Sequence, residues 1–205
     1  YSEGLESAVA KGHVHDTTSA QTWLLQQLWV SQARGDLSAI AAFIHAWRMD
    51  APQRQPRIAT LNRWVQQTRE SAELRLQTEQ MGRSLLDWLR QRHWASDENI
   101  STCQQLGATY PMVMGLALAS TSASVESALQ AYAFGWAENM TQAAIKSIPL
   151  GQNAGQTLLS ALAAEIPAAV DEAMHRNDEN RQSFAPMLAI LSAQHETQYS
   201  RLFRS

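Results

Sequence analysis

The stretch 124-SVESALQAYAFGWAENMTQAAIKSIPLG-151 decides the fold class. Ser124 is a residue type that caps helix N-termini, and Pro149, Leu150 and Gly151 close the run. Between those signals the pattern predicts one long helix from Val125 to about Ile148. Elsewhere Ala, Leu, Gln and Glu dominate, and these are helix formers. No alternating β-branched and aromatic run bounded by Asn-Gly or Asp-Gly turns occurs anywhere in the chain, so strands are not expected.

Working outward, a further helix is expected from Gln152 to about His175, with Pro167 inside it as a kink or a new start. Asn177 to Phe184 reads as a polar loop, Pro186 to Gln194 as a short last helix, and His195 to Ser205 as a tail. In the other direction, Pro111 suits the first turn of a helix running to about Ser120, and Asp97 starts one ending near Gly107. Arg57 to Trp94 contains only Gly82 as a breaker; that span is too long for one ordinary helix, so a break is expected near Gln77 to Gly82. Asp50 to Pro56 reads as a loop. Asp36 is expected to cap a helix bearing Ile40, Phe43, Ile44 and Trp47, after Gly35 ends the one before it. Asp16 or Thr17 caps that preceding helix, whose stripe is Trp23, Leu24 and Leu28. Ser2 is the expected cap of the first helix, with Leu5, Ala8 and Val9 on one face and Gly12 as its stop. The sequence therefore predicts an all-α, single-domain bundle of about ten helices over residues 1–205.

Composition narrows the function. The chain has 205 residues, 45% of them apolar, and a formal net charge of −3 with both signs mixed. No basic block tracks a phosphate backbone, so no nucleic-acid partner is expected. The single cysteine, Cys103, cannot form an internal disulfide. It suits a reducing cytosol and reads as a small buried hydrophobe. The longest uncharged run, Asn99 to Val125, is broken by Pro111 and Gly115, so no membrane span is expected. The opening Tyr1-Ser2-Glu3-Gly4-Leu5-Glu6 shows no signal peptide and reads as the interior of a longer chain.

Catalytic and metal patterns are thin. His13-Val14-His15 lacks supporting ligands and reads as surface histidines. Glu172-Ala173-Met174-His175 has the E-x-x-H spacing of di-iron bundles, but those need two such motifs and two further Glu; a solvated helix end explains it. Gly151 to Thr157 lacks the lysine and the preceding strand of a phosphate loop, and no G-x-S-x-G elbow is present.

Three features are less ordinary. Lys146 is the only charged residue between Glu138 and Glu165, either a helix-end cation or a functional one. Arg69-Glu70-Ser71-Ala72-Glu73-Leu74-Arg75 is a dense charge cluster in which Arg69 and Glu73 stand at i, i+4 and can pair on one helix face; a solvated helix face is the simpler reading. The tail carries Tyr199, Leu202 and Phe203, which would share one face of a helix, beside Arg201 and Arg204. Such residues either pack on their own domain or order on a partner.

These segments resemble the UreF family of urease accessory proteins. The tail His195-Glu196-Thr197-Gln198-Tyr199-Ser200-Arg201-Leu202-Phe203-Arg204-Ser205 is similar to the family's C-terminus nearly letter for letter. The start Tyr1-Ser2-Glu3-Gly4-Leu5-Glu6 resembles the end of its N-terminal motif, which closes on Gly-Leu-Glu. Arg69-Glu70-x-x-Glu73-Leu74-Arg75 with Glu79 and Gly82 resembles a third motif, and Lys146 with Pro149-x-Gly151-Gln152 a fourth. The family's Leu-Pro-x-Gly-Gly residues, which precede Gly-Leu-Glu, have no counterpart here.

The resemblance implies an all-α fold, a homodimer and a cytoplasmic complex with the accessory protein UreD (also called UreH) and the GTPase UreG. That complex delivers nickel to the urease apoprotein. UreF bridges the other two and gates the GTPase or the metal's transfer, with no catalytic centre or cofactor of its own; nickel and GTP are handled by the complex. Partner-binding roles are implied for Glu6, Arg69, Glu73 and Lys146. In the tail they are implied for His195, Glu196, Tyr199, Ser200, Arg201, Leu202, Phe203 and Arg204, with residues 195–205 as the handle for UreD/UreH. The competing expectations are a helical-bundle metalloenzyme built on Glu172 and His175, and a small-molecule-binding regulator.

Overall fold

A computed structural model describes residues 4–195, and within them every regular element is helical. In chain order these are α1 Leu5–Ala10, α2 Thr17–Gln27, a π-helical stretch Leu28–Asp36, α3 Leu37–Trp47, α4 Ala51–Gln67, α5 Ala72–Gln91, α6 Asp97–Leu106, α7 Tyr110–Ala119, α8 Val125–Ser147, α9 Gln152–Met174 and α10 Pro186–His195. The all-α expectation holds, and α8 has the predicted cap: Ser127 N–H donates to Ser124 Oγ at 3.1 Å. Gly12 stops α1 as expected, at φ +75°, with His13 N–H reaching back to the Ala8 carbonyl.

Several local expectations need correction. Ser2 lies outside the described residues, and Gly4, at φ +78°, occupies the N-cap position of α1. Gly35 does not end a helix and Asp36 caps nothing; the chain runs helically from Thr17 to Trp47 through the π stretch, and Asp36 has helical backbone angles with no capping bond. A π stretch adds a residue per turn without breaking the ladder, so a glycine there is no stop. Residues 51–56 form the start of α4, with Pro52 in the first turn and Pro56 on the exposed side, where the carbonyl a proline leaves without its helical partner is open to solvent. The long central span breaks at residues 68–71, where Ser71 caps α5 through Leu74 N–H at 3.1 Å. Gly82 sits in unbroken helix because a Cβ there would collide with the Ala108 carbonyl. Pro167 starts no new helix, since α9 continues on both sides of it.

Two cores share α3. Leu37, Ile40 and Ile44 face a core built with α1, α2, α8 and α9, whereas Phe43, Ala46 and Trp47 face a second built with α4, α5, α6 and α7. α7 comes close enough to α3 that a Cβ on Gly115 would strike Phe43. Buried Asn62 ties the turn between α6 and α7, donating to the Leu106 and Gly107 carbonyls and accepting from Thr109 Oγ1 at 2.6 Å. Cys103 is buried as expected, and burial pushes its thiol up to about 12, so it stays protonated and inert.

Candidate functional site

The charge cluster at 69–73 straddles a helix boundary, so its residues cannot pair along one face. Arg69 precedes α5 and Glu73 lies in its first turn. Arg69 instead donates through Nη2 to Asp36 Oδ1 at 2.7 Å, with both side chains mostly buried. In place of the possible Arg69–Glu73 pair there is a link from the 68–71 turn to the end of the π stretch. Asp36, read from sequence as a cap, serves as that link's anion.

Next to it, Glu70 and Ser71 hold α10. Glu70 Oε2 accepts from Ala185 N–H at 3.2 Å, and Ser71 Oγ lies 2.7 Å from Ser192 Oγ. Gly4 is the third point of contact: a Cβ there would fall 2.8 Å from a Leu188 methyl. The fold thus brings the Gly-Leu-Glu start, the 69–73 cluster and the helix that leads into the tail to one place, although about 65 and 115 residues separate them in sequence.

A groove of about 630 Å³ opens beside this junction. Leu74, Met81, Met114, Leu118, Trp136 and Leu188 make it largely apolar, and Asp36, Arg69 and Glu70 supply its charge. That size and lining fit a docked apolar segment or small molecule. α10 covers the bundle with Leu188 and Leu191, yet leaves Phe184, Met187 and Ile190 at 61%, 50% and 52% exposure.

The loop before α10 is locked rather than loose. Arg181, read from sequence as part of a polar loop, has a side chain only 3% exposed. Its Nε donates to Ser38 Oγ, its Nη1 to Asp178 Oδ1, and its guanidinium lies over the Trp64 ring at 5.3 Å. Arg57 also holds Asp178, at 2.9 Å. Hydrogen bonding to Arg57 keeps the Asp178 carboxyl below its ordinary range, while burial pulls the Arg181 guanidinium down. Gln182 N–H donates to the Arg34 carbonyl, and Gly35 admits that approach because a Cβ would meet the Gln182 carbonyl oxygen at 3.2 Å.

The remaining sequence candidates scatter. Lys146 is exposed at the C-terminal turn of α8, as a helix-end cation would be. Glu6, in the first turn of α1, is only 8% exposed. His195 ends α10, and Glu196, Tyr199, Ser200, Arg201, Leu202, Phe203 and Arg204 lie outside the described residues. Glu172 is engaged by Arg176, and His175 Nδ1 sits 2.8 Å from the Asp171 carbonyl. The E-x-x-H pair therefore does not converge. Among the described residues no three His, Cys, Asp or Glu side chains gather to hold a metal ion, and no helix is long and apolar enough to cross a membrane.

The UreF family model matches residues 14–163. Proteins named urease accessory protein UreF from Polaromonas sp. and Paracidovorax citrulli are 57% and 55% identical over the whole of this chain, covering 87% and 82% of their own lengths. One of the same name from Cupriavidus necator is 42% identical, again over the whole chain and 90% of its own length.

Proposed function

Because the chain belongs to the UreF family of urease accessory proteins and is an accessory protein, not an enzyme, we propose that it is the bridging scaffold of a nickel-delivery complex. In this reading it joins UreD/UreH to the GTPase UreG, works as a cytoplasmic homodimer, and regulates GTP-dependent transfer of nickel to apo-urease. Nickel is the cargo and GTP belongs to UreG; this chain contributes surfaces. The observation that carries the proposal is the junction of Gly4, Glu70, Ser71 and α10. It sets the start of the tail on a fixed mount beside an apolar groove. A scaffold needs such a mount, because a handle leaving a rigid body loses less freedom when it is captured.

Lys146 fits a second contact surface: it is exposed, and the residues around it in sequence are uncharged. Glu6 belongs to the same reading, as a contact at the Gly-Leu-Glu start that a partner would reach only with some rearrangement of its buried surroundings. The deciding experiment is co-purification of the full chain with UreD/UreH, UreG and apo-urease, with and without GTP and nickel. The proposal expects a complex containing all three accessory proteins whose UreG content responds to GTP. A chain that captures neither UreD/UreH nor UreG under any of these conditions is no bridge.

A further inference from the structure

α10 has an unusual beginning. The Ala185 carbonyl accepts the first intrahelical bond, from Ala189 N–H at 2.9 Å, which makes Ala185 the N-cap residue. Alanine has no side chain to cap with, and Pro186 at the next position has no N–H to satisfy. The capping group comes from elsewhere in the chain: the Glu70 carboxylate takes the Ala185 N–H. A carboxylate at a helix N-terminus is also favoured by the helix dipole. Glu70 is held in turn. Its neighbour Arg69 is pinned to Asp36 at 2.7 Å, and Ser71 both caps α5 and contacts Ser192 near the far end of α10.

From this chain of contacts we propose that Glu70 is a positioning residue for partner capture: its carboxylate seats the N-terminus of α10 and so sets where the tail leaves the bundle. The inference rests on reading residues 195–205 as the handle for UreD/UreH. It gives the 69–73 cluster a role other than touching the partner. The cluster builds the mount, with Arg69 steadying the turn, Glu70 holding the first residue of the seat, and Ser71 the last turn. Glu70 is itself exposed, so replacing it leaves both cores untouched.

The test uses the full chain as Glu70→Ala and Glu70→Gln, beside a chain ending at residue 195. Amide hydrogen exchange across 187–193 is read in the free protein, and affinity is read against purified UreD/UreH. Glu70→Ala should speed exchange in α10 by about tenfold or more while α8 and α9 stay protected, because the loss is local. Capture should weaken by about tenfold or more with an unchanged melting midpoint. Glu70→Gln keeps an acceptor oxygen and should recover most of both. Unchanged α10 exchange in Glu70→Ala overturns the seat alone. So does lost capture with α10 protection intact, since Glu70 would then touch the partner directly, and so does loss of protection throughout the bundle. A chain ending at residue 195 that captures UreD/UreH as well as the full chain removes the handle, and the positioning role with it.

Discussion

Helices α3 and α10 are built from similar material and placed in opposite surroundings. Each is about three turns long, and each carries apolar side chains on more than one face. α3 is enclosed, with Ile40 and Ile44 in one core and Phe43 and Trp47 in the other. α10 buries Leu188 and Leu191 but shows Met187 and Ile190 to solvent, next to exposed Phe184. A helix apolar all round normally belongs in an interior. α3 has found its interior within the chain. α10 has half of one, and in sequence it leads into residues 196–205. The contrast separates a helix enclosed by its own chain from one that leaves apolar side chains uncovered.

The contrast breaks first under core truncation. Phe43→Ala should cost about 3–5 kcal/mol of stability, because it removes a fully buried ring between α3 and α7. Ile190→Ser on α10 should stay within about 0.5 kcal/mol, because the side chain is half exposed. Urea denaturation measures both, and equal losses would mean that α10 is as much a part of the core as α3.

Arg69→Ala is expected to fall between them, at roughly 2–4 kcal/mol, since it strands mostly buried Asp36 without its partner. Denaturation again reads the loss. A value near zero would show that the Arg69–Asp36 link does not steady the turn beneath α10.

A smaller effect concerns the loop that delivers the chain to α10. The Asp178 carboxyl has a folded value lowered below the ordinary 3.8, chiefly by Arg57. A lowered carboxylate contributes stability at pH above its unfolded value, and that contribution is lost as pH falls through the folded one. Stability of the native protein should therefore drop more steeply below about pH 4 than that of Asp178→Asn. Parallel curves for the two proteins would remove Asp178 from the lock.

The smallest change in stability is expected for Lys146→Ala, under about 0.5 kcal/mol, because the side chain is exposed. Urease activation, by contrast, should fall or lose its response to GTP. A variant that unfolds, or one that activates urease normally, would place Lys146 with the ordinary helix-end cations.

Much of α3's setting was legible in the sequence and little of α10's. Spacing alone put Ile40, Phe43, Ile44 and Trp47 on a helix, and Ser124 and Gly12 marked real boundaries, because caps and periodicity act locally. The failures came where distant residues overrode local signals. Gly35 reads as a stop, yet it sits in continuous helix because a distant loop needs the space a side chain would fill. Gly82 reads as a kink and is instead a close approach to Ala108. Arg69 reads as the partner of Glu73 until the chain turns between them and Asp36 arrives from 33 residues away. Glu70 stood inside the conspicuous cluster, but nothing in the sequence says that it serves a helix 115 residues later. Arg181 left one faint signal, an arginine among Asn, Asp and Glu in a tryptophan-rich chain; its stacking partner, Trp64, is 117 residues away and left none.

Under the proposed function, the fold holds α10 so that the tail beyond it is offered to UreD/UreH. The most direct measurement is a pull-down of UreD/UreH by the chain lacking residues 196–205, run beside circular dichroism and a melting curve. The account predicts a protein with its helical signal and melting midpoint nearly intact that no longer captures UreD/UreH, with Tyr199→Ala or Phe203→Ala in the full chain each costing more than about 1 kcal/mol of binding. A truncated protein that is folded and still captures UreD/UreH would contradict it.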